Sequence, residues 1–239
     1  MRIEDIEYTV GGRRMIGHLA VGEGPAGSRP GVLVCHEGPG LDEHAKGRAE
    51  RLADLGYAAF ALDYHGDGKP LERDEMMGRL GGLMGDPDQI RELARAGLSI
   101  LLAQGEVDAG RTAAIGYCFG GTMALELARS GAELAAVVGF HSGLGTGRPA
   151  QPGEVRASIL VCIGADDPMV PAEQRSAFEA EMRAADVDWR MNLYGGAVHS
   201  FTNPNAELSG FPGVAYHQAT DERSWRAMLD FFGERFGPV

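Results

Sequence analysis

The chain has 239 residues, 44% hydrophobic and 23% charged, with 22 basic against 34 acidic side chains and a net charge of −12. That balance argues against nucleic acid and anionic membranes as partners, and no run approaches the ~18 consecutive apolar residues of a membrane span. The acidic N-terminus from Met1 to Glu7 lacks the apolar stretch of a secretion signal, so a cytoplasmic location is expected.

The chain opens with two strand-like segments, 4–10 and 14–21, joined by the hairpin signal Gly11-Gly12. After a Gly/Pro/Ser loop, residues 31–35 form a short continuous apolar run, the mark of a strand buried on both faces. It stops at the turn His36-Glu37-Gly38-Pro39-Gly40. A helix is predicted over 42–55 with Leu52 and Leu55 inward, followed by a strand over 57–63. Residues 64–86 read as a loop region with a broken helical pattern, in which Met76, Met77, Leu80, Leu83 and Met84 recur at helical spacing among four glycines. Flexible methionines and glycines together suggest a mobile, substrate-lining flap over 70–86.

A helix over 88–104 leads to a strand at 111–116, then a helix at 120–130 and a buried strand at 134–140. A strand at 158–163, a helix at 172–185, a strand at 187–194 and a helix at about 220–233 complete the pattern. Strands and helices alternating in this way predict one α/β domain over 1–239: a doubly wound, mostly parallel sheet with helices on both faces and an antiparallel N-terminal hairpin.

Ligands of such sheets sit at the carboxyl ends of the strands. One of those ends carries Gly116-Tyr117-Cys118-Phe119-Gly120-Gly121, a Gly-x-nucleophile-x-Gly pattern with cysteine as the nucleophile. A strand-to-helix turn this sharp needs glycine on either side and presents the central side chain at the start of a helix, where the dipole favours thiolate. A buried structural cysteine beside a glycine turn is the plain alternative. Two further strand ends carry Asp167 and His199, in the nucleophile–acid–histidine order of the α/β-hydrolases. Cys35 and Cys162 lie in apolar strands and read as core residues. None of the three cysteines forms a CxxC or paired spacing, so neither disulfides nor zinc are indicated. No cofactor or metal is expected, and the chain is read as a monomer or small homo-oligomer.

The residues Gly116 to Gly121, Asp167-Pro168-Met169-Val170-Pro171, His199-Ser200-Phe201 and His36-Glu37-Gly38 together resemble the dienelactone hydrolase family, over the chain from about residue 31 to its end. The resemblance implies a Cys–His–Asp hydrolase of activated esters or lactones, with an α/β-hydrolase fold, a small-molecule substrate and an acyl-thioester intermediate. The Asp-x-x-Val-Pro pattern selects Asp167 over its neighbour Asp166. In this chemistry His199 takes the proton of Cys118 and Asp167 fixes the imidazole tautomer. The oxyanion is met by the N–H of Phe119 and by one from Glu37 or Gly38. A thiolate is itself a good leaving group, so enol esters, lactones, aryl esters and thioesters are expected substrates and unactivated amides are not.

Family members that take a carboxylate-bearing lactone present arginine four residues after the histidine; here that position is Asn203. A second cation could come from Arg79 or Arg148. The expected lining is Tyr64, Met76, Met77, Leu80 and His141, with Phe201 and Asn203 beside the histidine, which suggests a neutral, partly apolar ester or lactone. Glu37 beside the nucleophile would disfavour its thiolate, either restraining Cys118 until substrate arrives or simply capping a loop. Two other classes stay open: a non-hydrolytic protein of the same fold with Cys118 as a redox-sensing thiol, and a binding module, which would not need the acid and histidine together.

Overall fold

The computed structural model describes residues 1–22 and 24–237. Among the described residues, eight strands make one sheet: β1 (Arg2–Val10), β2 (Arg13–Val21), β3 (Arg29–Cys35), β4 (Ala58–Leu62), β5 (Val107–Tyr117), β6 (Ala136–Phe140), β7 (Ser158–Gly164) and β8 (Trp189–Tyr194). Their spatial order is β1-β2-β4-β3-β5-β6-β7-β8. The β1–β2 and β2–β4 pairs are antiparallel and the remaining pairs are parallel. Six α-helices connect them: α1 (Glu43–Asp54), α2 (Arg73–Met84), α3 (Pro87–Leu102), α4 (Phe119–Arg129), α5 (Ala172–Ala184) and α6 (Gln218–Phe236).

The period-two alternation of strand side chains divides the core into two layers. In β3, Leu33 and Cys35 face a layer filled by Leu83 of α2, Leu93 of α3, Met123 of α4 and Phe178 of α5. Val32 and Val34 face the opposite layer, filled by Ala49 and Leu52 of α1 and by Trp225 and Phe232 of α6. Both faces are therefore covered, which is why the central strands read as unbroken apolar runs. Register then brings the carboxyl ends level: Cys35 lies beside Gly116, Tyr117 beside Phe140, and Gly164 beside Tyr194.

Three expectations are corrected. Residues 73–84 are not a broken loop but a continuous helix, opened by the acidic first turn of Asp74 and Glu75 and burying Met76 and Leu83. Three glycines, Gly78, Gly81 and Gly82, lower helix propensity, but the apolar stripe packs against α3 and the core and outweighs that loss. Leu55 sits at the C-cap of α1 and is exposed, because the helix turns away one residue before it could face the sheet. Strand β5 begins at Val107 rather than 111, extended by pairing of Arg29 and Pro30 across an irregular register. A short 3-10 turn at Ala206–Ser209 has no counterpart in the sequence pattern. Among the described residues no helix is long and apolar enough to cross a membrane.

Candidate active site

The turn between β5 and α4 carries Cys118 at φ 53° and ψ −121°, a backbone conformation that costs a non-glycine residue of order 1–3 kcal/mol. The flanking glycines make it possible. A Cβ on Gly116 would lie 2.0 Å from Gly120 O, and one on Gly120 would lie 2.2 Å from Cys35 O and 2.3 Å from His36 O. No side chain fits there. The elbow is thus wedged between its own helix and the end of β3. Phe119 is the first residue of α4, so its N–H has no intrahelical acceptor.

His199 follows β8, held by its N–H to Gly213 O and by its carbonyl to Ala215 N. Its Nδ1 lies 2.8 Å from Asp167 Oδ2, and the other carboxylate oxygen accepts the Met169 N–H at 2.8 Å. Asp166 is exposed and turns its carboxylate to the Gly196 N–H. With Nδ1 committed, Nε2 of His199 is buried without a hydrogen-bond partner. Burial disfavours the imidazolium, but the charges of Cys118 and Asp167 outweigh it and raise the His199 pKa to about 10. Cys118 is the one partly accessible cysteine; Cys35 and Cys162 are buried, and burial raises both thiols, Cys162 to about 12.

The loop after β3 is pinned through its carbonyls. Glu37 O accepts the Tyr64 hydroxyl at 2.9 Å and meets His36 Nδ1 at 2.6 Å, while Gly38 O lies 2.7 Å from His65 Nε2. In a trans peptide the C=O and the next N–H point in opposite directions. Anchoring Glu37 O among Tyr64 and His36 therefore turns the Gly38 N–H out of that buried layer. Leu80 and Met76 of α2 stand over Gly38, at 3.0 Å and 3.8 Å from where its Cβ would be.

The Glu37 side chain is buried and fully engaged. Oε1 accepts the Ser200 hydroxyl at 2.7 Å, and Oε2 accepts the Asn203 amide. Burial raises its pKa, and the Asn203 and Ser200 hydrogen bonds oppose that shift.

Several expected lining residues stand elsewhere. Tyr64 is completely buried and stacks on His36 at 3.7 Å, bracing the loop from behind. Phe201 is likewise buried, edge-on to His141 at 5.0 Å. His141 lies beneath the elbow and accepts the Cys118 N–H on Nδ1 at 3.1 Å. Met77 is exposed on the outer face of α2, because it is one residue, about 100°, round the helix from Met76. Arg79 donates to Tyr64 O at 3.1 Å and faces Arg13 in a surface groove, and Arg148 pairs with Asp88 in a distant one. Met76, Leu80 and Asn203 stay near the site. Arg73, one turn before Met76, was missed; its guanidinium lies 4.1 Å over the ring of Phe211, in the segment that pairs with His199. Nothing in the sequence pattern ties these two residues together.

A mostly parallel eight-stranded sheet with an antiparallel N-terminal hairpin and a glycine-flanked elbow between β5 and α4 is the α/β-hydrolase fold. A deep-sea metagenome α/β-hydrolase shares that fold at TM-score 0.67 and 16% identity, over 97% of each chain. The sequence profile of the dienelactone hydrolase family matches residues 17–236, and the chain belongs to that family of ester and lactone hydrolases. It is similar to a solved dienelactone hydrolase-like promiscuous phosphotriesterase from metagenomic libraries, at 47% identity and TM-score 0.93 over 99% of each chain. It is also similar to an Escherichia coli (strain K12) protein provisionally named a carboxymethylenebutenolidase, 29% identical over 88% of this chain and 79% of the relative.

Proposed function

We propose that the protein hydrolyses activated carboxylic esters and lactones through Cys118, His199 and Asp167. The observation that carries this is the His199–Asp167 contact of 2.8 Å, which leaves the opposite ring nitrogen buried without a partner, while Cys118 acts on the same imidazole electrostatically. Cys118 Sγ attacks the carbonyl carbon as its proton passes to His199 Nε2, and Asp167 stabilises the imidazolium. The oxyanion is received by the N–H groups of Phe119 and Gly38, each worth ~3 kcal/mol of transition-state stabilisation. The intermediate collapses with loss of the alcohol or enol, which takes the proton from His199. Water, deprotonated by the same imidazole, then cleaves the thioester.

A redox-sensing role for Cys118 needs neither Asp167 nor the histidine it orients, and the buried Cys35 and Cys162 offer no accessible resolving thiol. The 47% identity to a promiscuous phosphotriesterase supports a second substrate class, aryl dialkyl phosphates attacked at phosphorus by the same thiolate. Hydrolysis of p-nitrophenyl acetate, with capture of the acyl-enzyme by mass spectrometry, tests the main reading. Wild type should acquire 42 Da (roughly one acetyl) on Cys118 and turn over. Retained turnover in Cys118→Ala would end the proposal.

A further inference from the structure

His141 is buried beneath the elbow, with φ +40°, and nothing in the chemistry above uses it. Resting on that reading of Cys118 and His199, we infer that His141 is a positioning residue. It is a neutral imidazole locked in one tautomer, which fixes the amide of the nucleophile on one side and packs against the catalytic imidazole on the other.

The protons can be assigned in only one way. The Cys118 N–H is shared between Phe140 O at 3.0 Å and Nδ1 of His141 at 3.1 Å, and a ring nitrogen facing an N–H carries no proton. The ring's hydrogen therefore sits on Nε2 and is donated to Thr202 Oγ1 at 2.8 Å. Having accepted there, Thr202 directs its own hydroxyl to His44 Nε2 at 3.4 Å, which also receives Arg48 Nε at 3.3 Å. An acceptor at Nε2 leaves the His44 proton on Nδ1, which is 3.9 Å from Glu37 Oε2. The hydrogen-bond chain thus runs from the nucleophile's amide to His44, every step with a donor facing an acceptor, and His44 Nδ1 ends it without a hydrogen-bond partner. Protonating His141 on Nδ1 would set N–H against N–H at the elbow.

The second contact gives the lock a purpose. The His141 and His199 rings meet edge to face with centroids 5.3 Å apart. Both cannot be charged at that distance without strong repulsion. The titratable and charged groups facing His141 are Glu37 from the β3 loop, His44 and Arg48 from α1, Tyr117 from β5 with its ring centroid 6.1 Å away, and His199 from the β8 loop. Burial first, then the charges of His199, His44 and Arg48, hold His141 well below the ordinary histidine range. A proton arriving at the site therefore resides on His199.

Two measurements test this on the full-length protein. In 15N-resolved histidine NMR, His141 Nδ1 should give the signal of an unprotonated acceptor nitrogen throughout the pH range in which His199 titrates. His141→Phe keeps the ring and removes both hydrogen bonds; its acylation rate with p-nitrophenyl acetate should fall about tenfold or more while KM changes less than about twofold. Its pH–rate profile should also shift. Thr202→Val, which removes the lock without touching His141, should show a smaller loss in the same direction and a mixture of His141 tautomers. A protonated Nδ1 in wild type, or rates and pH profiles of both variants matching wild type, would overturn the assignment. Because Cys118→Ala reports separately on the nucleophile, that failure would be distinguishable from failure of the hydrolytic reading.

Discussion

Replacing glycine by alanine at three positions should produce opposite effects from one chemical change. At Gly120 the added methyl carbon would sit 2.2 Å and 2.3 Å from the carbonyl oxygens of Cys35 and His36, and at Gly116 it would sit 2.0 Å from Gly120 O. These are backbone atoms, and the elbow must shift by roughly 1 Å to admit the methyl, an overpacking cost at or above ~3 kcal/mol. For a chain of this size that corresponds to a Tm lowered by about 6–12 °C. The same displacement of the nucleophile should cost about 100-fold in kcat/KM. At Gly78 of α2 nothing lies within 4 Å of the new methyl, and the backbone is already helical. There the gain in helix propensity is up to ~1 kcal/mol, or about 2–4 °C. Thermal unfolding by circular dichroism and p-nitrophenyl acetate turnover read both quantities on the three proteins. Gly120→Ala with wild-type stability and activity would refute the wedge between elbow and β3.

Asp167→Asn should lower kcat by about 10⁴-fold through loss of the imidazole tautomer, while Asp166→Asn stays near wild type; steady-state kinetics decide, and the reverse order would place the acid wrongly. Arg129, completely buried and bonded to Glu126, Glu181 and Leu144 O, should cost about 3 kcal/mol by urea unfolding when changed to Ala, because Glu181 loses its guanidinium and the buried Glu126 keeps only Arg91. The His199 pKa lies above its ordinary value, so its contribution to stability is complete below about pH 6.5 and is lost as pH rises through about 10. The Tm gap between wild type and His199→Gln should accordingly narrow on the alkaline side; a gap that widens would reverse the sign.

The fold was legible because its signals are local. Continuous apolar runs such as 31–35 and 134–140 occur where a strand is covered on both faces, and they name parallel sheet directly. The contact of Asp167 with His199 was legible because each lies a few residues past a strand, and the parallel register brings such strand ends together whatever the intervening helices do. Side-chain direction was not legible. Tyr64, His141 and Phe201 lie at the expected height but point into the layer below the cleft, where His36, Thr202 and Tyr194 receive them. Sequence position fixes the height of a residue above the sheet, whereas packing by distant segments fixes its rotamer. Helix α2 was obscured for a related reason: its stability comes from Met76 and Leu83 meeting the rest of the molecule, not from its glycine-rich composition.

Asn203, which stands where carboxylate-binding members have arginine, and the two arginines the sequence offered to a substrate carboxylate are each engaged elsewhere. Asn203 is spent on Glu37, Arg79 on Tyr64 O, and Arg148 on Asp88. Arg73 remains. It shares a helix face with Met76 and Leu80, which stand over Gly38, and its guanidinium reaches across to Phe211 beside the His199 segment. Arg73 therefore ties α2 to the segment that pairs with His199. An exposed cation held by an aromatic ring is worth ~0.5–1 kcal/mol, so the bridge is weak enough for substrate to part. Arg73→Ala should then change kcat/KM for bulky aryl esters by about two- to fivefold relative to acetate esters of small alcohols, and leave burst amplitude unchanged. Ester pairs of equal charge and unequal bulk separate this from steering, which would instead track substrate charge and fade with salt. A ratio unchanged across both series would show that the Arg73–Phe211 contact lies outside the substrate's path.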